Sequence, residues 1–255
     1  MDLSTILLQS EGGVTTITLN RPEQQNAING LMVKELEKTC YQLEDESDDA
    51  ALVVRGSGDA FSAGIDLLDW PPDAKPDVRG FARWERACRT LERLPKVTVA
   101  AIDGQCAGGG LQLALTCDVR VATDRSVFFL HEVRDGFLPG MGTFRLAKFI
   151  GLGRARRMAL TGRRVDAAEA LSMGLIDHLC ATGELEDATA AALEEFGDIH
   201  TEALKQTRRL FDESFEMAYE EFIGCFLAAQ HIAIQKDEFK ATIKRAHDEG
   251  KPRGE

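Results

Sequence analysis

Apolar positions along the first half of the chain recur with two alternating periods. Around the Glu11–Gly12–Gly13 turn, Val14, Thr16 and Thr18 alternate with Thr15, Ile17 and Leu19, which predicts two strands flanking a turn. Arg21–Pro22 stops the second strand, because proline has no N–H to give a ladder. Leu31, Met32, Leu36 and Leu43 then fall at helical spacing and predict a helix from about 29 to 45. AALVVRGSG is a nearly continuous apolar run, the signature of a strand buried on both faces, and DAFSAGIDL passes from strand to turn at Gly64. Residues 69–79, rich in proline and aspartate, read as a loop, and a helix follows from about 80 to 94.

KVTVAAID is a strong strand, and GQCAGGG leads from it directly into LQLALTCD, a short buried helix. VRVATD and SVFFLHE are further strands, closed by the glycine-rich GFLPGMG. Helices are expected at about 143–160, 166–173 and 184–196, with a short strand near 176–179, and an amphipathic helical pattern runs from 201 to 247. Three strand–strand–helix passages before residue 118, followed by helices, argue an α/β fold with a core of 1–197 and a helical region of 198–255. The sequence has no repeat of fixed period.

Charge narrows the function. The net charge of −12 and pI near 5.0 argue against general nucleic-acid or anionic-membrane binding, which need a basic surface. The six cysteines have no C-x-x-C spacing, so neither a zinc framework nor a disulfide scaffold is expected. Apolar runs fall short of the ~20 residues that span a bilayer, and the first residues do not resemble a signal peptide. A soluble, cytoplasmic protein without a metal is the expectation. No P-loop, dinucleotide fingerprint or H-E-x-x-H occurs, and GLGRAR at 151–156, with two glycines but no third, reads as a helix–helix turn.

Two glycine-bearing turns carry the chemistry. Gly108 to Gly110 strip side chains from a helix N-terminus, where free N–H groups point outward and a ligand oxygen can approach without meeting a Cβ. FSAGID offers a second exposed turn, with Gly64 bending the chain and the Ile65 N–H left to donate. Converging, such turns would form an oxyanion hole. Two rival readings stand beside this one: tight backbone packing alone, or a nucleophile elbow in which Cys106 attacks, assisted by His178, His200, His231 or His247. Glu132, at the end of the SVFFL run, is the acid placed for proton transfer, since burial raises a carboxyl pKa towards the useful range. Its structural alternative is a carboxylate paired with Arg134 or His131.

Together these segments resemble the crotonase, or enoyl-CoA hydratase/isomerase, superfamily. LNRPEQQNAIN, AFSAGIDL, IDGQCAGGGLQLALTCDVRVA, FFLHEVRDGFLPGMG and GRRVDAAEALSMGLIDHL match five family segments in the family's order. The resemblance implies a spiral of ββα units with a C-terminal helical region, trimers or hexamers, and chemistry through a CoA thioester enolate. CoA would be part of the substrate, with no tightly bound cofactor. The matched positions assign the oxyanion hole to Ile65 and Gly109 and the catalytic glutamate to Glu132. They also imply substrate contacts at Ala63, Asp66, Leu67, Trp70, Gly108 and Phe137, with the 67–79 loop lining the acyl pocket. On this resemblance the elbow reading recedes, because the glycines are explained without a nucleophile.

Departures from the family pattern qualify the reaction. Hydratases of the family carry a second glutamate where this chain has Gln112, which can orient water or substrate but cannot exchange a proton near neutral pH. A single base suffices to move a double bond from position 3 to position 2, so the expected activity is enoyl-CoA isomerase or weak hydratase. Gln24 and Gln25 stand where the family often has a basic residue; Arg21 remains as a phosphate contact, and KDEFKATIKRA resembles the C-terminal family element only loosely. Three alternatives remain open: a non-catalytic acyl-CoA carrier, a decarboxylase, and an enzyme acting on an acyl-carrier-protein-tethered polyketide intermediate.

Overall fold

The computed structural model describes residues 3–45, 49–70, 78–197, 199 and 201–249. The chain divides into two compact units, Met1–Gly197 and Asp198–Glu255. In the first, strands β1 (Ile6–Glu11) and β2 (Val14–Leu19) form the antiparallel pair around the glycine turn. Helix α1 (Gly30–Asp45) follows, then β3 (Ala51–Gly56), β4 (Ala60–Ser62) and α2 (Val78–Glu92). The third passage is β5 (Val97–Ile102), β6 (Gln105–Ala107) and α3 (Gly109–Ala114), and the fourth begins with β7 (Val119–Thr123) and β8 (Val127–Phe129). Helices α4 (Gly142–Ile150) and α5 (Leu152–Thr161) precede β9 (Val165–Asp166), α6 (Ala167–Ser172), β10 (His178–Cys180) and α7 (Leu185–Glu194).

The strands sort by their place in each passage. The six-stranded sheet has the order β1-β2-β3-β5-β7-β10, parallel after its first pair, and the four-stranded sheet has the order β4-β6-β8-β9. The first strand of each later passage thus joins the large sheet, and the second strand steps into the small one; this is the ββα spiral. All six residues of β5 are buried, as a central parallel strand covered on both faces requires. Met32, Leu36, Cys40 and Leu43 of α1 share the core with Trp84, Ala87, Cys88 and Leu91 of α2. Arg145 of α4 reaches Glu85 at 2.7 Å and Glu92 at 2.8 Å, a buried guanidinium that ties α4 to α2.

Several expectations shift in detail. GQCAGGG does not pass straight into helix: Gln105–Ala107 first pair with β4 and β8. The 126–132 strand stops at Phe129, and Glu132 opens a short 3₁₀ helix, Glu132–Arg134. The helix expected over 143–160 breaks at Gly151, whose φ of +76° ends α4 and starts α5. Within the 69–79 loop, residues 71–77 lie outside the described residues, as does His200.

The second unit consists of α8 (Thr201–Ser214), α9 (Tyr219–Ile234) and α10 (Asp237–Glu249). Helix α9 is apolar over most of its circumference, yet Ala229 is its one buried residue, and Phe226, Leu227 and Ile232 stand exposed. No described helix is long and apolar enough to cross a membrane.

The segment between β2 and α1 is locked to β4 by one side chain. Asn26, fully buried, accepts from the Arg21 N–H at 2.8 Å and donates to Ser57 O and Ala60 O, each at 2.8 Å. Its own carbonyl accepts from Ser62 Oγ at 2.9 Å. The residue sits at φ +54°, a left-handed conformation that asparagine tolerates and a Cβ-branched or alanine side chain does less well. Replacing it strands several buried backbone groups, each worth about 1–3 kcal/mol. Asn26→Ala is therefore expected to lower unfolding free energy by roughly 2–4 kcal/mol in urea titration. A loss below about 1 kcal/mol would show that these groups find other partners.

Candidate active site

Two backbone turns meet in the first unit. Beyond β4, Gly64 adopts φ +95°, and Ile28 pairs with Ile65 as an isolated parallel bridge. In that bridge Ile28 N donates to Gly64 O at 2.7 Å and Ile28 O accepts from Asp66 N at 3.0 Å. Both bonds go to the neighbours of Ile65, so the N–H of Ile65 faces away from Ile28 and finds no backbone acceptor among the described residues. The second turn lies between β6 and α3. Gly108 adopts φ +50°, its N–H donates to Phe129 O at 3.0 Å, and its carbonyl accepts from Gln112 N at 3.0 Å. Gly109 is the first residue of α3, where an N–H has no intrahelical partner.

The turns touch because neither carries a side chain at the contact. A Cβ placed on Gly64 would lie 3.0 Å from Ala107 O and 3.4 Å from Gly109 N. A Cβ on Gly109 would lie 3.1 Å from Ile28 Cδ1 and 3.8 Å from Ile65 N. The N–H groups of Ile65 and Gly109 thus belong to adjoining turns. Gly110 has a different reason: a Cβ there would come within 2.5 Å of Ser62 Cβ, so α3 packs on β4 only with glycine.

Glu132 approaches the same turn. A Cβ on Gly108 would lie 3.0 Å from Glu132 Oε1, so the missing side chain makes room for the carboxylate. Glu132 is 4% exposed, and its Oε2 is buried without a hydrogen-bond partner among the described residues. Burial pushes the Glu132 carboxyl above its ordinary range; its own backbone N–H and His131 pull it back less, and Asp135 adds to the rise. Neither expected structural partner takes it up. Arg134 donates to Thr161 O at 2.8 Å, and His131 Nε2 lies 3.1 Å from Asp135 Oδ2. Phe137, half-buried, donates its N–H to Glu132 O at 3.0 Å and helps hold the turn.

Gln112 stands one helical turn from Gly108 and is 3% exposed. The entry into α4 packs on it: a Cβ on Gly140 would lie 2.9 Å from Gln112 Oε1, and one on Gly142, the first residue of α4, 3.3 Å from its Cγ. Beside Ile65 opens a cavity of about 110 Å³, walled by Ile28, Val33, Trp70, Phe81 and Trp84. The rings of Trp70 and Phe81 lie 5.6 Å apart, tilted by 59°.

The other positions named from sequence are placed as follows. Ala63 donates its N–H to Gln25 O at 2.9 Å. Asp66 accepts from Leu68 N at 3.0 Å and from Arg21 at 2.8 Å, so Arg21 is engaged inside the fold as a clamp on the Gly64 turn. Leu67 and Leu68 are exposed and do not line the cavity. Cys106 lies inside β6, fully buried, and burial pushes its thiol well above the ordinary range, the opposite of an activated nucleophile. Sequence reasoning missed the contribution of α2 to the cavity. Phe81 and Trp84, three residues apart at the start of that helix, are the pair that could have signalled it.

The arrangement can hold an anionic oxygen at two N–H groups and move a proton at one carboxyl. The enoyl-CoA hydratase/isomerase family model matches residues 9–253. A short-chain-enoyl-CoA hydratase of Clostridium acetobutylicum is 30% identical over 261 residues, covering 98% of each chain. The crystal structure of an enoyl-CoA hydratase from Bacillus anthracis superposes with a TM-score of 0.89 at 26% identity, covering 97% of each chain. A Thermobifida fusca protein solved in complex with acetoacetyl-CoA matches with a TM-score of 0.81 at 29% identity, over 91% of this chain and 95% of that one. With its five ordered segments and its ββα spiral, the chain belongs to the enoyl-CoA hydratase/isomerase family, the crotonases.

Proposed function

We propose that this protein is an enoyl-CoA isomerase with at most weak hydratase activity, using Glu132 as its single acid/base. The observation that carries the reading is the buried Glu132 carboxylate, unpartnered at Oε2 and in contact with the Gly108 turn, with Gln112 in the other acid's position. Glu132 removes a C2 proton from a 3-enoyl thioester. The charge moves onto the thioester oxygen, held by the N–H groups of Ile65 and Gly109, and the same proton returns at C4. The double bond then lies between C2 and C3. Such donors act most strongly where water is excluded, and one is typically worth about 3 kcal/mol of barrier. Syn hydration would need a second group that exchanges protons, which the Gln112 amide does not provide. The acetoacetyl-CoA complex of the Thermobifida relative supports CoA as the acyl carrier.

A carrier-protein tether is the second reading. Lys148, Arg154, Arg156, Arg157 and Arg164 fall in a stretch, 136–165, that contains no acidic residue, within a chain of net charge −12. Such a stretch offers a local basic surface for an acidic carrier domain. The exposed apolar residues of α9, joined by Phe211 of α8 and Phe215 just beyond it, support assembly of copies as a trimer or hexamer through the second unit. Cysteines present as thiols and not as disulfides suit a reducing, cytoplasmic setting.

Glu132→Gln is expected to lower isomerase kcat/KM by about 10²–10⁴-fold, the usual worth of a positioned general base. Wild-type kcat/KM should rise with pH through the raised Glu132 pKa and then level, since only the ionised form accepts a proton. Stability runs the other way. A carboxyl whose folded pKa is raised binds more protons folded than unfolded, so its contribution is present below the ordinary carboxyl pKa of about 4.3 and is lost as pH rises through the folded value. Thermal melts should therefore show Glu132→Gln more stable than wild type at pH 7 but not near pH 4. Equal activity of the variant would remove Glu132 from the mechanism.

Gln112→Glu should raise crotonyl-CoA hydration relative to isomerisation at least tenfold in a spectrophotometric assay. An unchanged ratio would show that another feature suppresses hydration. Light scattering should give a particle of three or six chains; a monomer would refute assembly through the second unit.

A further inference from the structure

The Glu132 carboxyl receives a hydrogen bond from its own backbone N–H, and its Oε2 has no partner among the described residues. Its place beside Gly108 is therefore set by the turn that carries it. That turn is a single 3₁₀ turn, Glu132–Arg134, a form with poor hydrogen-bond geometry that has little persistence of its own. His131 caps one end and Asp135 the other. Their side chains meet across the turn, with Nε2 3.1 Å from Oδ2, and both are half-buried. The imidazole also packs on the Phe129 ring, with centroids 5.1 Å apart and planes tilted by 56°. Phe129 is the residue whose carbonyl takes the Gly108 N–H. The bridge thus joins the Glu132 turn to the strand that holds the Gly108 turn, and Arg134 adds a second anchor on Thr161 O.

We infer that His131 and Asp135 are a positioning pair for Glu132, a bridge that closes the 3₁₀ turn and keeps the carboxyl against the Gly108 turn. The inference rests on Glu132 being the base only for what that placement serves; the bridge itself stands without it. Both residues act through Glu132. The charged groups around the bridge are Glu132 and Arg134 on the turn itself and Arg164, whose guanidinium lies 4.4 Å from the Phe129 ring centroid. Helix α5, packed on the turn, carries Arg154, Arg156 and Arg157. Within the pair, Asp135 raises the Glu132 pKa and His131 lowers it. A half-exposed pair adds little to global stability, so its mark falls on the placement and proton affinity of Glu132 rather than on the melting temperature.

Two readouts separate this role from simple support of the fold. Carbon-13 NMR of the glutamate carboxyls, with the Glu132 signal assigned by its loss in Glu132→Gln, follows the titration of that group without any turnover. Asp135→Asn keeps an acceptor for His131 and deletes the charge, so Glu132 should titrate at lower pH than in wild type. Kinetics with a 3-enoyl-CoA, read on the pH plateau, should show kcat down roughly three- to tenfold in Asp135→Ala, the modest size of a weak pair, with KM and melting temperature nearly unchanged. Asp135→Asn should recover most of that kcat. His131→Ala combined with Asp135→Ala should be no slower than the slower single variant, because one bridge is lost once. An inactive wild type would sink the isomerase reading, and the titration would then decide the bridge alone. A Glu132 titration unmoved by Asp135→Asn, an unimpaired Asp135→Ala, no recovery in Asp135→Asn, or additive losses in the double variant would overturn the inference.

Discussion

Contact between the Gly64 turn and the Ala107–Gly109 turn is the constraint on which the rest of the site depends. Backbone meets backbone there, at separations that a single Cβ would close to 3.0 Å. Such a distance brings the Ile65 and Gly109 nitrogens, from different passages of the spiral, into adjoining turns. The surrounding structure exists to hold that approach. Strands β4 and β6 pair in parallel, Phe129 O takes the Gly108 N–H, and Asn26 with Arg21 pins the chain that bridges to Ile65. The left-handed backbone at Gly64 and Gly108 is cheap because glycine adopts it freely.

Glu132 adds a cost that the fold must offset elsewhere. A buried carboxylate oxygen without a partner is destabilising when charged, by an amount of order 1–3 kcal/mol or more. The same desolvation raises its affinity for a proton, which is what a group shuttling a proton between carbons near neutral pH needs. Gln112 matters in this balance as well. Its neutral amide places no charge in the small region covered by Gly140 and Gly142, which leaves Asp135 as the like-charged neighbour that adds to the rise at Glu132. Rigidity comes from outside the site, where Arg145 binds two glutamates of α2, the helix that carries Phe81 and Trp84.

Local signals were legible where one residue's chemistry decides the backbone. Gly12–Gly13, the run of β5 and the triple glycine at the start of α3 each mark their element directly. The Gly151 break was legible in part: Gly151 and Gly153 mark a helix–helix turn, while the apolar pattern on both sides runs on as one helix over 143–160. Strand β6 is three residues between glycines, too short for a period to show. Arg21 reads from sequence as a phosphate contact; folding brings Asp66, 45 positions away, within 2.8 Å of it.

The sequence by itself determined the family, the order of the ββα passages, the two glycine turns and the presence of one glutamate and one glutamine where two acids are usual. Those are properties of residue type and spacing along the chain. Tertiary structure alone decided that the turns touch, that Glu132 is left unpartnered while Arg134 and His131 turn to Thr161 and Asp135, and that Trp84 stands with Trp70 at the cavity. Such facts depend on which distant segments come within a few ångströms of each other. Pairing, burial and desolvation are set by that proximity, which the periodicity of a chain does not record.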